Sequence, residues 1–164
     1  MKKLLLLCVV MMFCTGEMFY DHTPENNFSR EVICLAKNIY FEARNQSVRG
    51  QIAVGNVTIN RVKDSRFPNS VCKVVTQAKK DKNNNIILNK CQFSWYCDGI
   101  KDTMLNKEVK EFSFKLAKAL ILGQISDVTH NSTHYHSKKV KPYWSSHLSK
   151  TVTIQDHHFY RWEK

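Results

Sequence analysis

Glu42 stands at the end of an apolar line. Leu35, Ile39 and Glu42 recur at helical spacing, so the carboxylate continues the helix face expected to meet the core. A carboxyl group drawn out of water keeps its proton to higher pH, which suits it to general acid work near neutrality. The plainer reading is a helix-end glutamate paired with Arg44 or Arg61. Further along lie His130, His134, His136, His147, His157 and His158. His134-x-His136 on a strand would put two imidazoles on one face, as a zinc site needs, although the peptidase helix motif H-E-x-x-H is absent. Phe93, Trp95, Tyr96, Tyr143 and Trp144 suit stacking on sugar rings, with core packing as the competing use. For Tyr135, held between two histidines, a place in a site is the favoured reading.

The elements that would position these groups read as helices first and a small β/loop region last. The expected class is α+β, mainly helical. Ser29 is expected to cap a helix running to about Arg44, with Val32, Ala36, Ile39 and Ala43 on one stripe and Glu31 in the first turn. A second helix from about Gly50 to Val62 is apolar around much of its circumference, which marks it as central and buried. Asn60 within it has either a specific partner or a helix-end hydrogen bond. Ser70 caps a short third helix. Lys79 to Lys90 reads as an exposed loop, and Cys91 to Gly99 as a hairpin or loop closed by Asp98-Gly99. Asp102 is expected to cap a long helix with Leu105, Val109, Phe112, Leu116 and Ala119 as its stripe and Gly123 as its stop. Thr151 to Ile154 and His158 to Trp162 read as short strands.

A chain of 164 residues can build one domain with a real core. Its 43% hydrophobic and 24% charged residues exclude the disordered class. Residues 1–16 read as a signal peptide or N-terminal anchor, since Lys2 and Lys3 precede an apolar run too short to span a bilayer comfortably. Residues 17–28 read as a flexible leader and 29–164 as the folded domain. Export to the periplasm or cell surface implies an oxidising setting, where Cys34, Cys72, Cys91 and Cys97 can pair. Three pairings are possible, and Cys91 with Cys97 could close a local loop. A four-cysteine zinc site is disfavoured, because no C-x-x-C pair is present. The net charge of +11 suits a polyanionic partner: a wall polymer, a membrane surface or nucleic acid.

Several blocks occur together in one order: Tyr40-Phe41-Glu42-Ala43-Arg44, Gly50-Gln51-Ile52-Ala53-Val54, Asn60-Arg61-Val62, Gln92-Phe93-Ser94, Thr133-His134-Tyr135-His136, Pro142-Tyr143-Trp144 and His158-Phe159-Tyr160-Arg161-Trp162. In these blocks the chain resembles the SleB-type cell wall hydrolases, the family of spore-cortex-lytic enzymes, over roughly residues 30 to 162. The resemblance implies a lysozyme-like fold related to lytic transglycosylases. It also implies cleavage of peptidoglycan between N-acetylmuramic acid and N-acetylglucosamine. It makes Glu42 the catalytic acid and places substrate contacts on Gln92, Phe93, Ser94, Trp95, His134, Tyr135 and His136. No metal and no cofactor is implied. The family usually continues Glu-Ala-Arg with Gly-Glu, whereas this chain has Asn45-Gln46, so a second carboxylate is missing there.

Glycosidases commonly use two carboxylates. One suffices if the sugar supplies its own nucleophile, so the expectation is a lytic transglycosylase forming 1,6-anhydromuramic ends, or else a hydrolytic muramidase. Peptidoglycan is the expected partner of a monomer; nucleic acid is not expected, and membrane contact only through the N-terminal segment. An endolysin role is compatible with this small single-domain form. Two other classes compete: an N-acetylmuramoyl-L-alanine amidase using the histidines and zinc, and a non-catalytic basic module that coats the wall.

Overall fold

The computed structural model describes residues 24–163. The expected signal or anchor over 1–16, and the leader as far as residue 23, lie outside the described residues. Within them the order is helices first, then a small antiparallel sheet, the α+β and mainly helical class. No helix among the described residues is long and apolar enough to cross a membrane.

The first helix, α1 (Pro24–Ala43), starts earlier than the Ser29 cap predicted from sequence, so 24–28 are helical rather than part of a leader. Proline is at home in the first helical position, where its missing N–H has no partner to lose. Ser29 is inside the helix. Glu31 therefore does not serve its own helix start. Its Oε2 accepts from the Val71 amide at 2.5 Å and its Oε1 from the Cys72 amide at 3.4 Å, at the positive end of α3 (Val71–Val75). Ser70 caps α3 as expected, accepting from the Lys73 amide.

Helix α2 (Val48–Lys63) is the central element. Ser47 caps it by accepting from the Gly50 amide, and its buried residues run from Gly50 to Arg61. Gly55 lets α1 and α4 (Lys107–Ile121) close on it. A Cβ there would stand 2.4 Å from Leu120 Cδ1 and 3.3 Å from Ile39 Cδ1. One apolar cluster joins α1, α3 and α4 through Leu35, Ile39, Val74, Leu116 and Leu120. A second joins α2 to the sheet through Ala53, Val57, Ile154 and Phe159.

Helix α4 begins after an Asn106 cap, not an Asp102 cap, and Leu105 is fully outside its stripe. The stretch expected to be a loop over Lys79–Lys90 is instead most of a hairpin. Strands β1 (Ala78–Lys80) and β2 (Ile86–Cys91) pair antiparallel with a register shift between Ala78 and Lys80. A 3₁₀ turn over Ser94–Cys97 follows. The second sheet has the order β3 (His134–Ser137), β5 (His157–Arg161), β4 (Ser149–Ile154), all antiparallel. Two disulfides resolve the open pairing: Cys34–Cys72 ties α1 to α3, and Cys91–Cys97 closes the local loop.

Candidate active site

Residues brought together around Glu42 come from three elements. Glu42 lies in the last turn of α1, Arg61 lies on the buried face of α2, and Tyr135 points in from β3. The Tyr135 hydroxyl donates to Glu42 Oε2 at 2.8 Å. Glu42 is half-buried, and loss of water raises its pKa above the ordinary carboxylate value. The Tyr135 hydrogen bond and the Arg61 charge pull in the opposite direction without cancelling that effect. Burial and the neighbouring carboxylate push the Tyr135 phenol well above its usual range, so it remains a donor. Arg44 is not the partner of Glu42; its guanidinium lies over the Tyr40 ring, 5.1 Å from the centroid.

Arg61 is 3% exposed. Its guanidinium lies 5.3 Å from the ring centroids of both Phe67 and Phe93, and its Nε donates to the Thr133 carbonyl at 2.7 Å. With the Gln92 amide oriented to satisfy both of its ends, the Gln92 oxygen accepts from Nη1 and Nη2 of Arg61 at 3.2 Å each. Burial lowers the Arg61 pKa to about 10, which leaves it cationic at neutral pH. A fixed positive charge thus faces an acid poised to lose its proton.

The neighbouring Asn60 fixes the loop that carries β3 to this place. Its amide donates to the Ser132 carbonyl at 3.0 Å, to Asp127 Oδ2 at 3.1 Å and to Thr129 Oγ1 at 3.3 Å. Of its two expected uses, the specific partner is the one realised. Asp127 in turn accepts from the Thr129 hydroxyl at 2.6 Å and from the amides of Thr129 and Asn131 at 2.7 Å. These bonds hold its carboxyl below the usual carboxylate range against the opposing effect of burial.

The sequence-proposed contacts divide into three groups. Tyr135 and Gln92 reach Glu42 and Arg61, and Ser94 is exposed at the start of the 3₁₀ turn. Phe93 and Trp95 are core residues, 3% and 8% exposed. Trp95 stacks on Phe41 at 5.0 Å, and its Nε1 donates to Asn38 Oδ1 at 3.0 Å, while the Asn38 amide donates to Thr58 at 3.1 Å. They support the site from beneath and offer no open face to a sugar.

His134 and His136 alternate with Tyr135 and so belong to the opposite side of β3. His134 packs against Trp144, Trp162 and Phe67, and burial with the nearby Arg61 and Arg66 charges lowers its pKa to about 4. His136 Nδ1 lies 2.9 Å from the Ser137 carbonyl and its Nε2 lies 3.0 Å from the Tyr160 hydroxyl. Both of its ring nitrogens are therefore engaged by the protein. Among the described residues no group of three or more His, Cys, Asp or Glu is disposed to hold a metal ion.

Three further contributors were named from the sequence but not among the expected site residues. Arg61 entered as a salt-bridge candidate for Glu42 and within the Asn60-Arg61-Val62 block, and its place on the wide buried face of α2 was the further signal. His157 meets the Tyr135 ring edge-on at 5.3 Å. Trp162, stacked under Arg66 at 5.1 Å, lines a cleft of about 820 Å³ that also touches Asn60 and Thr133, beside the strand that carries Tyr135.

The fold is that of two solved catalytic domains. The catalytic domain of the Bacillus cereus SleB protein is 24% identical, with a TM-score of 0.59 over 83% of this chain and 94% of that one. The catalytic domain of the germination-specific lytic transglycosylase SleB from Bacillus anthracis is 23% identical, with a TM-score of 0.61 over 85% of this chain and 100% of that one. No curated protein matches the chain. A family described as Cell Wall Hydrolase matches residues 45–160. The chain belongs to that family, and is an enzyme of the cell-wall-hydrolase class.

Proposed function

We propose that the protein cleaves the glycosidic bond between N-acetylmuramic acid and N-acetylglucosamine in peptidoglycan, with Glu42 as the one acid and base. The carrying observation is the carboxyl of Glu42, raised in pKa by burial and fixed by the Tyr135 hydroxyl at 2.8 Å. The family match begins just after Glu42, so the role of this residue rests on its surroundings.

In the first step Glu42 gives its proton to the glycosidic oxygen, and the bond from that oxygen to C1 of the muramic acid breaks. Positive charge develops at C1 and the ring oxygen. Glu42 is then a carboxylate, stabilised by the Tyr135 hydroxyl and the Arg61 charge. It next removes the proton from the muramic acid 6-hydroxyl, whose oxygen attacks C1. The product has a 1,6-anhydro end, Glu42 is protonated again, and no water is consumed. The absent second carboxylate is not needed on this route. A location outside the cytoplasm, in the periplasm or wall, fits both the substrate and the two disulfides.

Mass spectrometry of soluble products from purified peptidoglycan tests the reading, with wild type and Glu42→Gln side by side. Anhydromuramic ends from the wild type alone are expected. Reducing muramic ends would make the enzyme a hydrolytic muramidase acting through the same acid. Free stem peptides on intact glycan, unaffected by Glu42→Gln, would mean an amidase and overturn the assignment.

A further inference from the structure

The hairpin of β1 and β2 plays no part in the chemistry above, yet it exposes side chains that folding normally hides. Ile86, Ile87 and Leu88 are consecutive and all open to solvent, Leu88 at 58%. Ile100 in the following loop is 75% exposed. The two regions touch, since Leu88 Cδ1 would lie 3.4 Å from a Cβ placed on Gly99. Single exposed aliphatic residues are ordinary; adjoining ones mark a contact surface.

The charge around them is mainly positive, with Asp81, Asp98 and Asp102 as the acids nearby. Lys79, Lys80, Lys82 and Lys90 belong to the hairpin, Lys101 follows Ile100, and Lys80 sits directly opposite Ile86 in the ladder. The single acid between 78 and 91 is Asp81, and its own turn occupies it. Its Oδ1 accepts from the amides of Asn83 and Asn85 at 2.8 and 2.9 Å, and its Oδ2 from the Asn85 side chain at 3.3 Å. Asp98 likewise accepts from the Ile100 amide at 2.8 Å.

We propose that this hairpin docks on a bilayer with anionic headgroups, Ile86, Leu88 and Ile100 entering the interfacial layer and the lysines meeting lipid phosphates. A second copy of the chain would bring two sets of lysines together, which like-charge repulsion opposes. A neutral apolar partner would leave those lysines without a counterpart. An anionic bilayer interface takes up both kinds of side chain. The hairpin is also presented ready-made. Its base is fixed by the Gln92 amide on the Gln77 carbonyl at 2.8 Å, by the Cys91–Cys97 disulfide and by buried Phe93 and Cys97. Little ordering remains to be done on contact. The surface does not depend on the reaction assigned to Glu42.

Hydrogen exchange of the full-length chain, read peptide by peptide, tests this locally, so membrane contact elsewhere does not enter the signal. Vesicles of phosphatidylglycerol with phosphatidylcholine should slow exchange at 86–91 and 99–101 by about tenfold, and vesicles of phosphatidylcholine alone should not. Leu88→Asn with Ile100→Asn should abolish the protection, as should Lys79→Gln, Lys80→Gln, Lys82→Gln and Lys90→Gln combined. Equal protection in either variant would overturn the proposal, as would none in the wild type. Protection that rises with protein concentration and ignores vesicles would give the surface to a second copy instead.

Discussion

The Tyr135 hydroxyl donates to Glu42 Oε2 at 2.8 Å, across a sequence separation of 93. This bond favours the carboxylate, and burial favours the acid, so the two set the proton affinity of Glu42 against each other. Tyr135→Phe keeps the ring against Phe159 and His157 and deletes the donor. The Glu42 pKa should then rise further, and the basic limb of the pH–activity profile should move to higher pH. Turnover at the optimum should fall about tenfold, the effect of one hydrogen bond to a charged group. A basic limb that stays in place would separate Tyr135 from control of the acid.

Glu42→Gln removes the proton donor and should lower turnover by a factor of about 10² to 10⁴. The same change should stabilise the fold at neutral and higher pH. The folded pKa of Glu42 is raised, so the folded chain holds this proton more tightly than the unfolded chain. Stability from this group is present at low pH and lost as pH rises through the folded pKa. Glutamine keeps an acceptor for Tyr135 and carries no charge. Thermal unfolding should show the variant gaining about 2–4 °C for each kcal/mol at high pH, with the gain shrinking toward the ordinary carboxylate range.

The candidate site was legible where a chemical type and a period coincided. Glu42 on the line of Leu35 and Ile39 pointed inward, and Tyr135 between histidines pointed to a site. Aromatic residues carried less information, because the same ring serves a sugar or a core. Trp95 went to the core when its N–H found Asn38. The start of α4 was misplaced because Leu105 matches the helical period yet lies before the Asn106 cap, which only the backbone path decides. The hairpin was hidden by its lysines and asparagines, which disfavour strands; Ile86 to Leu88 supplied the β preference that local pairing used.

Arg61→Met should cost about 3 kcal/mol in denaturant unfolding, the scale for breaking a buried charged contact. The Thr133 carbonyl loses its donor at 2.7 Å, and the gap between the Phe67 and Phe93 rings loses its planar filling. Loss of the positive charge should also raise the Glu42 pKa and move the basic limb upward. Arg61→Lys restores charge without the planar fork. It should recover the pH profile more fully than the stability. Equal recovery of both would show that charge alone explains this position.

The two disulfides should differ in what they contribute. Cys34–Cys72 has a sequence separation of 38, and Cys91–Cys97 one of 6. Loop closure in the unfolded chain then corresponds to about 4 kcal/mol for the first and about 2 kcal/mol for the second. The first also clamps α1, which carries Glu42 in its last turn, to α3, whose first amides donate to Glu31. Cys34→Ala with Cys72→Ala should therefore lower the unfolding midpoint more than Cys91→Ala with Cys97→Ala. The second pair adjoins Gln92, which reaches Arg61, so its loss should show in activity beyond its effect on stability. Equal losses of stability from the two variants would mean that native contacts, not chain entropy, set the value of the longer link.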